Sequence, residues 1–293
     1  MTTMSLAVVQ MACGPDREDN LARAEALVRG AAGAGAGVVL LPELFDNVYF
    51  CQDAGADVFS LAAPAASHPT LLRMSALARE LAVCLPVSFF EHAEGAYYDS
   101  VAVIDRTGRR LGIYRKSHIP RSPGYEEMHY FASGESGFPA WPTPCGSIGV
   151  AVCWDQWFPE VARALALAGA EVLLYPSAIG SEPSDPGFDS KPAWQRVMQG
   201  HAAANVLPVA AANRIGVEAG RESEITFYGG SFIADETGAI VAELGPQEEG
   251  FRVIALDLAA VRERRARWGV FDGRRPELYG ALTIGRDGPL NRG

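Results

Sequence analysis

The sequence predicts an α/β protein in which mixed β-sheets are covered by helices. Short apolar runs that suit buried strands alternate with stretches of helical period, and two Thr-Gly turns separate pairs of strand patterns. The chain has 293 residues, 48% of them hydrophobic and 20% charged, which is enough for a large core. Because no linker-like stretch or sustained repeat interrupts the pattern, we predict a single domain over residues 1–293, with an extended tail from about residue 273.

The predicted elements follow one another along the whole chain. Strand patterns occupy residues 5–11, 38–41, 83–90, 97–105, 111–115, 148–152, 171–175, 207–212, 225–234, 239–243 and 252–256. Helical patterns occupy residues 20–30, 69–81, 161–169 and 194–205. A long loop over 116–138 contains several aromatic residues, which argues against disorder and favours a functional segment.

The charge and the N-terminal sequence exclude several classes of partner. A net charge of −10 and a pI near 5.0 argue against nucleic acid or an anionic membrane surface and fit a protein that handles small molecules. No apolar run approaches the roughly 18–20 residues that span a bilayer, and the first residues lack the basic region of a secretory signal. We therefore expect a cytoplasmic protein with a small-molecule substrate, no nucleic acid and no membrane.

The cysteines and histidines predict neither a disulfide framework nor a metal site. The five cysteines are scattered, odd in number and without a CxxC pair, and the five histidines lack metal-ligand spacing such as HExxH. The expected protein is reduced and free of metal.

Cys153 stands where a predicted strand gives way to a helix. The apolar run 148–152 stops at this cysteine, and Pro159 precedes the helical pattern at 161–169. A turn of this kind exposes a nucleophile and offers backbone N–H donors to an oxyanion. Taken alone, the cysteine is equally compatible with a buried structural thiol.

Glu43 and Lys116 also follow predicted strands directly. If the strands lie side by side, the three side chains meet at one end of a sheet, where functional groups collect in α/β proteins. A thiol, with a pKa near ~8.5, needs a base or a nearby cation to become a thiolate. Glu43 can accept that proton and later activate water, while Lys116 can favour the thiolate and, with the N–H of Trp154, stabilise an oxyanion. Taken singly, Glu43 can instead be a capping or salt-bridged residue.

Three sequence blocks carry a family resemblance. LPELF (41–45), YRKSHIP (114–120) and VCWDQWFPE (152–160) resemble the signature blocks of the nitrilase superfamily of carbon–nitrogen hydrolases. The resemblance implies an αββα sandwich of two mixed sheets flanked by helices. It also implies a catalytic triad of Glu43, Lys116 and Cys153, a second glutamate at Glu127, no cofactor, and a thioester-type intermediate that water hydrolyses.

Further blocks narrow the resemblance within the superfamily to the N-carbamoylputrescine amidases. These blocks are YFCQ (49–52), YPSAIGSEP (175–183), RVMQGHAAAN (196–205) and WGVFDGRRPELY (268–279). The subgroup hydrolyses a ureido group to an amine, carbon dioxide and ammonia in polyamine synthesis. Its members assemble as dimers or larger oligomers, so a homo-oligomer is expected.

The substrate-binding residues are less directly indicated. Trp154 and Tyr49 are candidates for the pocket wall, although aromatic residues also serve as core, and Glu182 can pair with a cationic substrate or remain a solvated charge. Arg121 replaces an acidic residue of the subgroup pattern, and we expect it to border the pocket and repel a diamine.

Asp46, Asn47 and Val48 also depart from the subgroup pattern, and we expect them at the same border. The alternative substrates for the same chemistry are therefore an N-carbamoyl amino acid or an ω-amide. A more distant alternative is a non-catalytic assembly module.

Overall fold

Fourteen strands and five α-helices make up the residues that the computed structural model describes, 3–55, 57–221 and 223–284. The strands are β1 (Thr3–Ala12), β2 (Val38–Leu40), β3 (Leu85–Ala93), β4 (Ala96–Ile104), β5 (Arg110–Arg115), β6 (Ala140–Thr143), β7 (Gly146–Val150), β8 (Val172–Pro176), β9 (Val209–Ala212), β10 (Arg214–Ala219), β11 (Glu224–Tyr228), β12 (Phe232–Ala234), β13 (Ile240–Glu243) and β14 (Gly250–Asp257). The helices are α1 (Arg17–Gly33), α2 (Pro69–Leu81), α3 (Pro159–Leu167), α4 (Lys191–Asn205) and α5 (Leu258–Trp268).

The strands form two layers of mixed sheet. In the first layer the order is β11-β10-β1-β14, β2 also pairs with β1, and the three-stranded sheet β3-β4-β5 adjoins β2 through a bridge between Val38 and Cys84. In the second layer the order is β13-β12-β9-β8-β7-β6. β1 pairs parallel with β2 and antiparallel with β14, and β8 pairs parallel with both β7 and β9.

The alternation of side chains along the strands produces two cores. Leu6 and Val8 of β1 belong to the core that lies between the sheets, together with residues of β7 to β9, whereas Ala7 and Val9 pack with α1 and α2. The buried faces of α3 and α4 pack against the second layer and belong to the same cluster as Leu6 and Val8. The predicted αββα arrangement is confirmed. Within the described part of the chain, none of the helices combines the length and apolar character needed to cross a membrane.

Most predicted elements are present within a few residues of their expected bounds, but residues 225–234 are not one strand. They form β11 in the first sheet and β12 in the second, because Gly229 and Gly230 take φ values of 56° and 59° and turn the chain between them. In the predicted extended tail, Pro276–Leu278 and Gly280–Thr283 form 3₁₀ helices. Residues 285–293 of that tail lie outside the described residues.

Arg214 at the start of β10 fixes the loop that follows β2. Its guanidinium is fully buried and donates to the carbonyls of Glu43 (3.0 Å), Leu44 (2.6 Å) and Asn47 (2.9 Å), and it pairs with the Glu218 carboxylate at 3.0 Å. Leu44 has a φ of 45°, a backbone conformation that is unfavourable for leucine and that its surroundings must stabilise. Arg214 thus fixes this loop through its contacts with three of the loop's carbonyls.

Replacing Arg214 with methionine should lower the free energy of unfolding by about 3–5 kcal/mol, because Glu218 would lose its buried cation and three carbonyls their donor. Urea denaturation measures the change. The control is Arg264→Met, since Arg264 pairs with Glu236 at 3.0 Å but is half exposed; its loss should stay below about 1 kcal/mol. Equal losses in the two variants would contradict the assigned role of Arg214.

Candidate active site

Cys153 lies in a tight turn between β7 and α3. Cys153–Trp157 form a 3₁₀ helix, and Cys153 itself has a φ of 39°, in the left-handed region that non-glycine residues rarely adopt. Its side chain is only 6% exposed. Strained backbone of this kind is found at functional sites when the surroundings hold it in place.

Asp155 supplies much of that support. Its buried carboxylate accepts hydrogen bonds from the backbone N–H of Val152 (3.0 Å), the hydroxyl of Tyr114 (2.7 Å) and the backbone N–H of His118 (3.0 Å). These bonds tie the turn to β5 and to the loop after it. His118 therefore has a structural contact.

Lys116 lies between buried carboxyl groups. Its Nζ donates to Oε1 of Glu43 at 2.7 Å and to Oε2 of Glu127 at 2.6 Å, and it lies 3.4 Å from Oδ2 of Asp99. The side chains of Lys116, Glu43 and Asp99 have no solvent exposure. The structure thus brings Glu43, Lys116 and Glu127 together from three separate segments of the chain.

Burial and the mutual charges set the protonation of this cluster. Burial lowers the pKa of Lys116, but the neighbouring carboxylates outweigh it and hold that pKa well above the usual value. Burial raises the pKa of Glu43, but Lys116 outweighs burial and the net pKa is lowered. Burial and the charge of Glu43 raise the pKa of Glu127 to about 7, although Lys116 opposes them. Glu43 is therefore the ionised member and Glu127 the one that titrates near neutrality.

The thiol of Cys153 is protonated in this environment. Burial and the negative charge of Glu43 raise its pKa well above the usual value, and Lys116 only partly offsets them. The sequence expectation that Lys116 favours the thiolate is thus met in direction but not in net effect. A nucleophilic role for this thiol would require a base, and Oε2 of Glu43, which is buried without a hydrogen-bond partner, is a candidate.

A cavity of about 420 Å³ opens beside Cys153. Glu127, Trp154 and Glu182 line it, as do Pro120, Ser122, Tyr125, Trp157, Ala178, Ile179, Ser184, Asp185, Phe188, Ser190 and Ala193. Tyr49 is not among the lining residues: it is buried and donates to Oε1 of Glu127 at 2.7 Å. Tyr49 thus orients Glu127 instead of forming the pocket wall.

The residues that depart from the subgroup pattern do not line this cavity. The Arg121 side chain is 73% exposed, and its Nε lies 3.9 Å from the Glu126 carboxylate, but Arg121 stands between two lining residues, Pro120 and Ser122. Asp46 is buried, where it accepts from Thr70 and Asn47. The expected position at the pocket border is therefore corrected for Asp46, Asn47 and Val48.

The three carboxylates could in principle ligate a cation. Oxygen atoms of Glu43, Asp99 and Glu127 lie within 4.8 Å of one another. The ammonium of Lys116 is in hydrogen-bonding contact with two of them, so the positive charge that such a cluster requires is supplied by the chain itself.

Sequence reasoning missed Asp99 and Asp185. Asp99 shares a face of β4 with Val101 and Val103, which belong to the core between the sheets. A carboxyl group on the apolar face of a strand was the signal that could have identified it. Asp185 lies in an acidic loop without periodicity, and nothing in the sequence distinguishes it from its acidic neighbours.

The chain is similar to proteins of known or assigned activity. An N-carbamoylputrescine amidase of Solanum lycopersicum is 54% identical over 98% of this chain and 97% of its own length. A citrullinase of Francisella tularensis is 47% identical over 97% and 99%. The crystal structure of a carbon–nitrogen hydrolase from Helicobacter pylori superposes with a TM-score of 0.89 at 36% identity, covering 96% of this chain and 99% of that one.

The family model described as carbon–nitrogen hydrolase matches residues 5–266, which is most of the chain. The match and the near full-length similarity confirm the resemblance that the sequence blocks predict. This chain belongs to the carbon–nitrogen hydrolase family of the nitrilase superfamily.

Proposed function

We propose that the protein hydrolyses the ureido group of N-carbamoylputrescine to putrescine, carbon dioxide and ammonia, with Cys153 as the nucleophile. The observation that carries the proposal is the position of Cys153, which lines a cavity and lies beside the buried cluster of Glu43, Lys116 and Glu127. The 54% identity to an N-carbamoylputrescine amidase along almost the whole chain supports the choice of substrate.

The proposed reaction begins with proton transfer from the Cys153 thiol to Glu43. The sulfur attacks the ureido carbon, and Lys116 with the backbone N–H of Trp154 stabilises the oxyanion. One C–N bond breaks as its nitrogen leaves with the proton from Glu43, which leaves a carbon–sulfur intermediate. Glu43 then activates the water that breaks the C–S bond, and the remaining carbamoyl fragment decomposes, so that one water is consumed overall.

The cavity suits a substrate with a positively charged distal end. Glu182 and Asp185 line it, and no lysine or arginine does so among the residues that the structure describes. Trp154, Trp157 and Phe188 offer apolar surface to a methylene chain. The Arg121 side chain is not among the lining residues, and its charge is partly offset by Glu126, whose carboxylate lies 3.9 Å from Nε.

Citrulline is the second candidate, because the Francisella relative is a citrullinase. It carries the same ureido group but ends in an amino acid, whose carboxylate calls for a cationic partner. The lining of the cavity offers acidic groups instead. Ammonia release from both substrates at equal concentration separates the candidates, and a preference for citrulline would overturn the proposed substrate while leaving the chemistry intact.

We propose further that the chain is one domain that assembles as a homo-oligomer in the cytoplasm. The family match over 5–266 supports one domain, and the exposed Trp268 and Leu282 near the C-terminus offer apolar surface for assembly. All five cysteines are free, as expected in a reducing compartment. Light scattering coupled to size-exclusion chromatography tests the assembly.

Replacing Cys153 with alanine should reduce kcat/KM for N-carbamoylputrescine by at least about 10⁴-fold, because the bond-forming atom is lost. The matched control is Cys145→Ala, since Cys145 is a half-buried thiol outside the cavity. Initial rates of ammonia release over a range of substrate concentrations give kcat/KM for both variants. Retention of activity in Cys153→Ala would refute the proposed nucleophile.

The double substitution Glu182→Gln and Asp185→Asn should raise KM for N-carbamoylputrescine about tenfold and change kcat little, because it removes charges that face the distal ammonium. N-butylurea, which lacks that ammonium, should show no comparable rise. Arg121→Gln serves as the control and should leave KM close to that of the parent. An equal effect on both substrates would contradict recognition of the ammonium.

Tyr49→Phe should move the acidic limb of the kcat/KM profile to higher pH. The Tyr49 hydroxyl donates to the Glu127 carboxylate and so favours its ionised form; without that bond the pKa of Glu127 should rise above about 7. Glu127→Gln should remove this limb, and Tyr279→Phe, at an exposed tyrosine, is the control. An acidic limb at the same pH in Tyr49→Phe and the parent would refute the assigned role.

A further inference from the structure

Asp99 belongs to the buried cluster, yet the reaction proposed above assigns it no role. Its carboxyl group on β4 is fully buried, with Oδ2 3.4 Å from Lys116 Nζ and Oδ1 3.4 Å from the Ser88 hydroxyl, which donates to it. Its backbone carbonyl accepts from the N–H of Lys116 at 2.9 Å. Asp99 is thus held rigidly against the residue that carries the positive charge of the site.

The contact between Asp99 and Glu43 requires a proton. Carboxyl oxygens of the two side chains lie within 4.8 Å of each other, and a hydrogen bond between the two groups contributes to the pKa of each. Ionised carboxylates have no donor, and Oε2 of Glu43 and Oδ2 of Asp99 are both buried without a hydrogen-bond partner. A proton on one of the two groups supplies the missing donor, as in other pairs of carboxyl groups that share a site.

The surrounding charges also require it. Lys116 is the cation that acts on Asp99, and Glu43 and Glu127 are the carboxyl groups that do so. The buried Cys51 thiol also interacts with Asp99. Arg214 acts on Glu43 from behind but is paired with Glu218. With all three carboxyl groups ionised, two negative charges would remain uncompensated in a site shielded from water, which is strongly unfavourable.

We propose that Asp99 is a positioning residue that is protonated in the resting enzyme and donates its carboxyl hydrogen to Glu43, which keeps Glu43 ionised and oriented toward the Cys153 thiol. The inference rests on the proposed function, in which Glu43 is the base. The Asp99 proton stays on Asp99 during turnover, and the transferred proton moves from Cys153 Sγ to Glu43. A carboxylate has about four lone-pair sites, so bonds from Lys116 and Asp99 leave room for the thiol hydrogen.

The opposite pKa shifts of the two carboxyl groups agree with this assignment. Burial and the negative charge of Glu43 raise the pKa of Asp99 well above its usual value. The pKa of Glu43 is lowered, because Lys116 and the hydrogen bond from Asp99 outweigh burial. Lys116 Nζ also lies closer to Glu43 (2.7 Å) than to Asp99 (3.4 Å), so it stabilises negative charge on Glu43 more strongly. Geometry and the pKa directions thus both favour the proton on Asp99.

Infrared spectroscopy locates the proton without any substrate. At a pH well above the pKa of Glu127, the parent protein should show the C=O stretching band of a protonated carboxylic acid, and Asp99→Asn should lack it. Asp105→Asn is the control and should retain the band, because Asp105 directly follows β4, the strand that contains Asp99, and is likewise buried. A parent spectrum without this band, or a band that persists in Asp99→Asn, would overturn the proposal.

Kinetics test whether the donated hydrogen bond matters. An asparagine can donate to Glu43, whereas a leucine of similar volume cannot, so kcat/KM of Asp99→Asn should exceed that of Asp99→Leu by about tenfold or more. In the parent, ionisation of Asp99 at high pH adds negative charge beside the developing thiolate and lowers kcat/KM. Asparagine cannot ionise, so the alkaline limb of kcat/KM should move to higher pH in Asp99→Asn. A merely structural role would leave the limb in place.

The two readouts separate the inference from the proposed function. An absent infrared band with full Cys153-dependent turnover would refute the role of Asp99 alone. The Asp99-dependent band without turnover of N-carbamoylputrescine would support the protonated pair while refuting the proposed substrate. Equal kcat/KM in Asp99→Asn and Asp99→Leu would overturn the positioning role even if the band is present.

Discussion

The ion-pair cluster of Lys116 with Glu43 and Glu127 is the constraint on which the rest of the site depends. An ammonium group without solvent exposure is tolerated only when carboxylates surround it at hydrogen-bonding distance, and distances of 2.6 and 2.7 Å meet that requirement. Removal of Lys116 would leave two buried carboxylates without their cation, and removal of either glutamate would leave the ammonium with one hydrogen-bonded glutamate. The fold must therefore deliver these side chains from distant segments with little positional freedom.

The two facing sheets provide that precision. Glu43 follows β2, Lys116 follows β5 and Cys153 follows β7, so the three groups occupy strand ends in both layers of the sandwich. Arg214 then holds the carbonyls around Glu43 from behind, and Asp155 holds the turn that contains Cys153. The strained backbone at Leu44 is held by Arg214, and that at Cys153 by Asp155. Both supporting side chains are buried and hydrogen-bonded to the loops that they hold.

Much of this arrangement can be predicted from the sequence, and the features that were not predicted correctly have identifiable physical reasons. Strand patterns that end just before Glu43, Lys116 and Cys153 predict that these side chains meet at strand ends. The expected single sheet is corrected, because β2 and β5 belong to the first layer and β7 to the second. The expected position of Asp46 at the pocket border was wrong, because the direction of a loop side chain has no periodic signal: Asp46 is buried and accepts a hydrogen bond from Thr70. Asp99 was overlooked as one polar residue in an apolar strand, although its place on the core face distinguishes it. The break between β11 and β12 depends on the backbone conformation of two glycines, which the apolar pattern across them concealed.

The arrangement also explains how a negatively charged cluster can support a reaction that creates negative charge. In the proposed reaction the cluster gains no charge when Glu43 takes the thiol proton: one negative charge moves from the carboxylate to sulfur and then to the oxyanion. Lys116 is fixed by Glu127 on its other side, so the ammonium does not have to move as the charge does. Glu182 and Asp185 line the same cavity, and the proposal gives them the binding of the distal ammonium. Binding of a cation and formation of an anion are thereby proposed for different residues of one cavity.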